Sequence, residues 1–512
     1  MRELTLAVVL VSGIAPAAPT QESAPNRLVD RAREAMGGER LASLASIRLS
    51  GLGYTNALEQ SERPEGPWFK SFDQFTELRD LRRLRLRRTT QSRSGAWSPD
   101  WSPDLVLLAD TGAALWARAG RAFPARAADR AAAVEALFLS PERLLTTAAA
   151  APELRSLPDT VVAGVRNHRL AFRFGERRAV LYLDAHTLLP SGYVLHGPAG
   201  GAFGWMWGDA REAVWFSLWS FDPPGIRYPR MVVTELNGQP LREVTLTAVR
   251  FDAPAPPDSF PLPDSARAAF AASVAREPSM RHAPLGRSFT GAVVDPIEVA
   301  DGVTIFPGPW YTAVIRQGEG LVVIDAPISP EYSTQLLAEA ERRYGGVPVR
   351  GVVTTSDAWP HLAGIREYVA RGIPVHHLDL NRSILERFVA ARWGSAPDAL
   401  ERSRRAPIWR PLATRATLGT GPNRVQLIPV RGEGGERMLM VWLPEHRLLY
   451  ASDLIQRQRD GTFFWPEYLV EVIAAARREG LDVERVWAMH TGPLPWRDIL
   501  DAVAAVRATP VP

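Results

Sequence analysis

The stretch TTSDAWPHLAG, residues 354–364, decides how the second half of this chain folds. It follows VRGVV (349–353) and leads into IREYVARG (365–372). A short β-branched run, a polar loop and an amphipathic segment closed by glycine read as strand, loop and helix. The loop carries Asp357 and His361, residue types that bind metal, move protons or simply cap a helix. The same grammar extends on both sides. GVTIFPG (302–308), YTAVIRQ (311–317) and GLVVIDAP (320–327) read as strands, YSTQLLAEAERRYG (332–345) as a helix, and IPVHHLD (373–379) as another strand. Strands that alternate with helices predict a layered α/β domain over 291–512.

Residues 26–263 follow different rules. NRLVDRAREAMGG (26–38) puts Leu28, Val29, Ala32, Ala35 and Met36 on one helical face and stops at Gly37-Gly38. From about Ser46 to Phe251 most segments alternate apolar with polar residues, the pattern of antiparallel strands with one wet face. One helical insertion, RAADRAAAVEALFLSPERLLTTAA, interrupts them. The reading is a mostly antiparallel β domain with a few helices, closed by the proline-rich APAPPDSFPLP (253–263). Residues 264–290 are a linker with a short helix, DSARAAFAASVA.

A chain of 512 residues exceeds one ordinary core, so two or more domains are expected. The net charge of +4 is small for this length and gives no support to a nucleic-acid partner. MRELTLAVVLVSGIAPAAPTQ reads as a signal peptide over 1–18, with Arg2, an apolar run from Leu4 to Ile14, and cleavage after Ala17 or Ala18. That run is too short for a membrane anchor, and no other segment could span a bilayer. The expectation is a periplasmic or secreted protein with no stable membrane insertion. The sequence has no cysteine, which excludes disulfides, thiolate ligands and a cysteine nucleophile.

Residues 291 to about 505 resemble the metallo-β-lactamase fold, an αββα sandwich, in the order of four landmarks. DGVTIFPGPWYTAVIRQGEGLVVIDAP resembles the opening strands, with Asp325 at the position of the family's strand-closing aspartate. VRGVVTTSDAWPHLAG sits where the family has a His-x-His-x-Asp-His loop. IPVRGEGGERMLMVWLPEHRLLYASDL resembles the segment carrying the next histidine and the bridging aspartate, and VERVWAMHTGPLPW the strand ending in the last histidine. The motif is degenerate. Thr355 and Asp357 stand at the first two histidine positions, Pro360 at the aspartate and His361 at the closing histidine after one inserted residue. Glu433 stands at the next histidine, while Asp453 and His490 match outright.

The resemblance implies a divalent metal ion, and the metal set would be Asp357, His361, Glu433, Asp453 and His490. A catalytic zinc needs about three protein ligands and an open position for water. So oxygen-rich a set would favour manganese or iron over zinc. Asp357 or Glu433 could instead serve as general base. The plainer alternative has no metal: Asp357 caps a helix, the Pro-His pair opens one, GEGG is a tight turn, and Asp453 and His490 pair with each other. His377, Asp379 and Arg382 are candidates for substrate binding, with His376 beside them. There is no nucleophile elbow, phosphate-binding loop or dinucleotide fingerprint.

The N-terminal half resembles, in pattern only, the periplasmic lipoprotein-carrier (LolA/LppX-like) superfamily, in which a curved sheet wraps an apolar cavity. Trp205, Trp207, Trp215 and Trp219 either line a pocket or belong to a core. In LRRLRLRR (81–88), Arg83, Arg85 and Arg87 should share a strand face, either solvated or facing an anion. Two functions follow. One is an exported hydrolase that cleaves an ester, amide or phosphodiester of a small-molecule or lipid-like substrate by metal-bound hydroxide. The other is an inactive binding protein whose β domain holds an apolar ligand.

Overall fold

The computed structural model describes residues 25–508 except 59–65, 67, 95–97, 109–113, 119–120, 125–126, 200–203, 261–263, 265–266, 270, 273–279, 289–290 and 459. The expected signal peptide, the end of the proline-rich linker and half of the short helix expected after it lie outside the described residues. No helix among those described is long and apolar enough to cross a membrane.

The N-terminal half is one antiparallel sheet of 13 strands. Two meanders, Ser46–Asn56 to Arg121–Pro124 and Arg155–Val162 to Gln239–Phe251, meet where Ile47 opposes Phe251. Helices Ala127–Phe138 and Pro141–Ala150 connect the meanders, and Pro25–Met36 precedes them. The expected stripe of Leu28, Val29, Ala32 and Met36 packs with Leu144 and Leu145 of Pro141–Ala150 onto Ile47, Leu49, Leu170, Phe172, Leu181 and Leu195 of the sheet. Strand Arg177–Asp184 shows the cause, since it buries every second residue. Each such fully buried aliphatic side chain contributes roughly 1.5–3 kcal/mol.

A charged cluster ties helix Pro141–Ala150 to the sheet. Glu77 and Arg79 are buried on one strand; Arg79 Nε donates to Glu77 at 2.5 Å and its Nη1 to Glu142 of the helix at 2.7 Å. Arg88 donates to the other Glu77 oxygen, and the Tyr228 hydroxyl to the other Glu142 oxygen at 2.8 Å. Two carboxylates and two guanidiniums compensate one another, as burial of charge requires.

The arginine stretch departs from the expected strand. The chain turns over 81–84, with Leu84 at φ 54°, and the strand Arg85–Ser94 begins only afterwards. Asp80 makes this turn by accepting from the Arg82 and Arg83 amides at 3.1 and 3.0 Å. Arg85 is therefore buried, donating to Asp80 at 2.5 Å under the Phe260 ring, while Arg83 is exposed and Arg87 half-buried.

The C-terminal half contains two large sheets, of 7 and 6 strands, with helices on the outside, and a two-stranded ribbon of Gln456–Arg457 and Phe463–Phe464. In the first, Ile297–Ala300 to Gly320–Ile324 pair antiparallel, and Val349–Thr354, Val375–Leu378 and Trp409–Leu412 follow in parallel. The second runs Ala416–Leu418, Val425–Pro429, Leu439–Leu443, Leu448–Tyr450, Arg485–Ala488 and Thr491–Pro495. Three apolar layers define the stacking. Val303, Ile305, Ile324 and Val353 meet Leu427, Val441, Leu448 and Trp487 between the sheets. Helices Pro330–Arg343 and Ile365–Arg371 cover the first sheet, and Pro466–Arg478 and Trp496–Ala508 the second. Strand Gly320–Ile324 is buried on both faces, which explains its unbroken apolar run.

The tryptophan-rich stretch divides between the two halves. Trp215 and Trp219 lie on strand Asp209–Asp222, Trp215 edge-on to Tyr182 at 5.3 Å and Trp219 at the margin of the N-terminal core. Trp205, Met206 and Trp207 form a single 3-10 turn, Gly204–Trp207, that leaves the sheet and docks on the C-terminal half. There Met206 is buried in the core between the first C-terminal sheet and its helices, and Trp207 stacks on Phe388 at 5.6 Å.

Candidate functional site

The site lies where strand ends of both C-terminal sheets meet. Asp325 follows Gly320–Ile324, Thr355 follows Val349–Thr354, Ser452 and Asp453 follow Leu448–Tyr450, and His490 follows Arg485–Ala488. Backbone bonds lace these ends together: Asp325 N to Val353 O at 2.8 Å, Leu439 N to Thr355 O at 2.8 Å, and Met489 N to Ser452 O at 2.9 Å. Asp325, Ile328 and Ser452 adopt left-handed backbone, φ 63°, 71° and 52°. Such conformations are uncommon for residues with a Cβ and concentrate at functional sites.

Asp325 is the hub of the inner half and is fully buried. Its Oδ1 accepts from the Thr355 amide at 2.8 Å and hydroxyl at 3.0 Å. Its Oδ2 accepts from the Tyr450 hydroxyl at 2.5 Å and lies 2.8 Å from His361 Nδ1. The Thr355 hydroxyl also lies 2.9 Å from Ser452 Oγ, which donates to the Thr355 carbonyl at 3.1 Å. The Thr355 hydroxyl is thus already engaged by its neighbours. Burial and Asp325 together push the Tyr450 phenol far above its usual range.

His361 is fully buried and its Nε2 has no hydrogen-bond partner among the described residues. Burial alone would lower the imidazole. The Asp325 carboxylate, with Asp453 and Asp357 close enough to act on the charge, holds it above the usual 6.5 instead. Short helix Trp359–Leu362 carries His361, and close packing fixes it: Ala326 N donates to His361 O at 3.1 Å and Gly364 N to Ala326 O at 2.8 Å. A side chain at Gly364 would collide with Ser333, which is why glycine follows the histidine there.

The outer half is a pair. His490 Nε2 lies 2.8 Å from Asp453 Oδ1, which also accepts from Gln456 Nε2 at 3.0 Å. Burial raises the Asp453 carboxyl, but His490, then His361 and Gln456, pull it below its usual value. His490 keeps 28% of its side chain exposed, so this pair borders solvent while His361 does not.

Of the residues singled out in the sequence, His361, Asp357, Asp453 and His490 are brought together, and Glu433 is not. Glu433 is exposed, because the loop around it grips a different carboxylate. The Gly434 and Gly435 amides donate to Glu471 of helix Pro466–Arg478 at 2.9 and 2.7 Å. Side chains at Gly432, Gly434 or Gly435 would overlap Glu471, Tyr468 or Val430, so GEGG is a close-approach turn that points Glu433 outward. Asp357 is 3% exposed.

His377 is buried, with Nδ1 2.7 Å from the Leu378 carbonyl and its ring edge-on to Trp409 at 5.5 Å. Burial lowers its imidazole, and pushes the neighbouring His376 down to about 4. Asp379 is exposed and caps the turn at Leu380. Arg382 pairs with Glu386 at 2.7 Å over the Trp409 ring. The residues that sequence reasoning missed are Tyr450 and Ser452. Their only signal was adjacency to Asp453.

The family resemblance implies a divalent ion, and the residues present do not form a set for one. Among the described residues no group of three or more His, Asp or Glu side chains converges as metal ligands do. His490 directs Nε2 at Asp453, His361 commits Nδ1 to Asp325, and Glu433 faces solvent. The bare His361 Nε2 still offers a ligand.

No family model matches the chain, and no curated protein sequence matches it. Similar solved structures include a metallo-beta-lactamase from Pontibacter korlensis, at 14% identity and TM-score 0.34, covering 42% of this chain and 99% of that one. A metallo beta lactamase from Erythrobacter litoralis, with beta mercaptoethanol in its active site, gives 15% identity and TM-score 0.33 over 42% of this chain and 96% of its own. A stereoselective inverting sec-alkylsulfatase from a Pseudomonas species gives 14% and 0.32, over 42% of this chain and 40% of its own.

Proposed function

We propose that this chain is an exported, non-catalytic binding protein: a helix-covered antiparallel sheet that takes an apolar ligand, joined to a hydrolase-like sandwich whose reaction centre has been filled in. One observation carries the reading. Groups that would have to face a substrate or ion face one another instead, with both oxygens of Asp325 taken by Thr355, Tyr450 and His361, and Oδ1 of Asp453 by His490 and Gln456. The apolar layer between sheet and helices in the N-terminal half, and its likeness in pattern to lipoprotein carriers, support the choice of ligand. The signal-like N-terminus supports delivery to the periplasm or beyond.

A second reading, a metal-dependent hydrolase with a remodelled carboxylate-rich site, draws on the bare His361 Nε2 between Asp357 and Asp453. Elemental analysis of the purified chain after incubation with zinc, manganese and iron salts separates the two. The binding reading expects no stoichiometric metal, together with saturable uptake of a fluorescent fatty acid by the full chain. Stoichiometric metal that is lost in both Asp453→Ala and His490→Ala would establish the hydrolase reading in its place.

A further inference from the structure

The loop that carries Asp357 and His361 is held shut from outside its own domain. Trp205, from the turn Gly204–Trp207, donates its indole N–H to the Ile328 carbonyl at 3.1 Å. Its ring meets Trp359 edge-on at 6.4 Å, and Trp359 in turn meets Trp310 edge-on at 4.9 Å. Trp359 stands in the chain between Asp357 and His361, and Ile328 ends the segment that begins at Asp325. One side chain therefore touches both strand-end loops of the inner site.

The rest of the turn fixes it in place. Met206 is 2% exposed in the same layer as Trp310 and Trp359, and Trp207 stacks on Phe388. Gly208, at φ 62°, leaves no room for a Cβ, which would collide with the Arg392 carbonyl and the Trp393 indole. Beyond it, Asp209 N donates to Arg392 O at 2.6 Å and Ser395 N donates to the Asp209 carboxylate at 3.0 Å. The turn links strands Pro190–Pro198 and Asp209–Asp222, whose Tyr193, Leu195, Val214 and Phe216 belong to the N-terminal core.

From this geometry we infer that the Gly204–Gly208 arm is a clamp on the site: docked, it keeps the loop 355–362 closed over His361, and its release opens that loop to solvent. The inference concerns access to the site, so it stands apart from whether the N-terminal half binds an apolar ligand. Edge-on aromatic contact and one indole hydrogen bond are together of the size that shifts an opening equilibrium by about tenfold.

Hydrogen exchange read by mass spectrometry on the full chain tests it, with Trp205→Ala and Gly208→Val as release variants. Trp215→Ala, in the N-terminal sheet and away from the arm, is the control. Amides of 355–362 should exchange about tenfold faster in both release variants and at the wild-type rate in the control. Strands Val303–Phe306 and Val425–Pro429 should stay protected in all. Unchanged exchange in 355–362, or acceleration spread evenly over the sandwich, overturns the clamp. Should either release variant fail to fold, Trp205→Phe keeps an aromatic ring there and loses the indole N–H that bonds Ile328. It should give a smaller acceleration confined to 326–329 and 355–362, and no acceleration there overturns the clamp equally.

Discussion

Each half of the molecule buries a cluster of ionisable groups, and the two clusters differ in how completely they are satisfied. In the N-terminal half, Glu77, Arg79, Arg88, Glu142 and Tyr228 balance in charge, and each carboxylate oxygen receives a donor. In the C-terminal half, Asp325 collects donors from Thr355, Tyr450 and His361, yet His361 keeps a buried nitrogen with no partner among the described residues. Closure of the first kind is what tying a helix to a sheet requires. The orphaned Nε2 contributes nothing to stability and costs desolvation. Its presence at the strand ends, beside left-handed Asp325 and Ser452, marks the second cluster as a site, in use or retired.

The largest effect should come from breaking the balanced cluster. Arg79→Ala strands both Glu77 and Glu142 in a dry layer, and losing one partner of a buried pair typically costs roughly 3–5 kcal/mol. Denaturant unfolding should show a loss of that size. A loss under about 1 kcal/mol would mean that water reaches the cluster and that the contrast with the C-terminal site is false.

Asp325→Asn should follow, at about 2–3 kcal/mol. The amide keeps the shape but turns one acceptor into a donor aimed at groups that are themselves donors. The same substitution removes the main force raising His361. Burial then prevails and the imidazole should titrate below 6.5, whereas in the wild type it titrates above that value. NMR titration of the histidine ring reads the change of sign directly.

Dependence on pH separates the clusters by direction. Glu77 is held at about 2 by Arg79 and Arg88 against the opposing effect of burial. Because its folded value is depressed from 4.5, its stabilisation is present above 4.5 and disappears as pH falls toward 2. Asp453 behaves alike below 3.8. His361 has a raised folded value, so its contribution is full below 6.5 and is lost as pH climbs through the folded pKa. Thermal unfolding of the wild type against His361→Gln should show a stability gap that narrows on the alkaline side. A gap that widens with pH would show that His361 is buried neutral.

The layered plan of the C-terminal half was legible because strands such as Gly320–Ile324 are apolar runs and its helices carry clear stripes and glycine stops. Asp325, Asp453 and His490 were singled out through the family resemblance rather than from local pattern. What escaped was set by side-chain partners. Arg83 reads as a strand residue until Asp80 is seen to fold 81–84 into a turn. Glu433 reads as a ligand until Glu471, from a helix some forty residues on, takes the amides of its loop. Trp205 and Trp207 share a stretch with Trp215 and Trp219, yet the first two serve the other half of the molecule. Local pattern carries no trace of such choices. Gly208 was the nearest thing to a signal, a glycine ending an aromatic turn that only close backbone approach explains.

The smallest expected effect is also the sharpest test of saturation. Tyr450→Phe removes one donor from Asp325 while leaving the ring against Trp487, 5.0 Å away. If Asp325 is as well supplied as the distances imply, Thr355 and His361 still hold it, and the loss should be about 1 kcal/mol. A loss of roughly 3 kcal/mol would show that the phenol, with its strongly raised pKa, is the donor on which the carboxylate depends. Asp325 and Tyr450 would then be a coupled pair. The C-terminal cluster would in that case be as closed as the N-terminal one, with His361 packed beside it, and the bare Nε2 would lose its standing as the mark of a site.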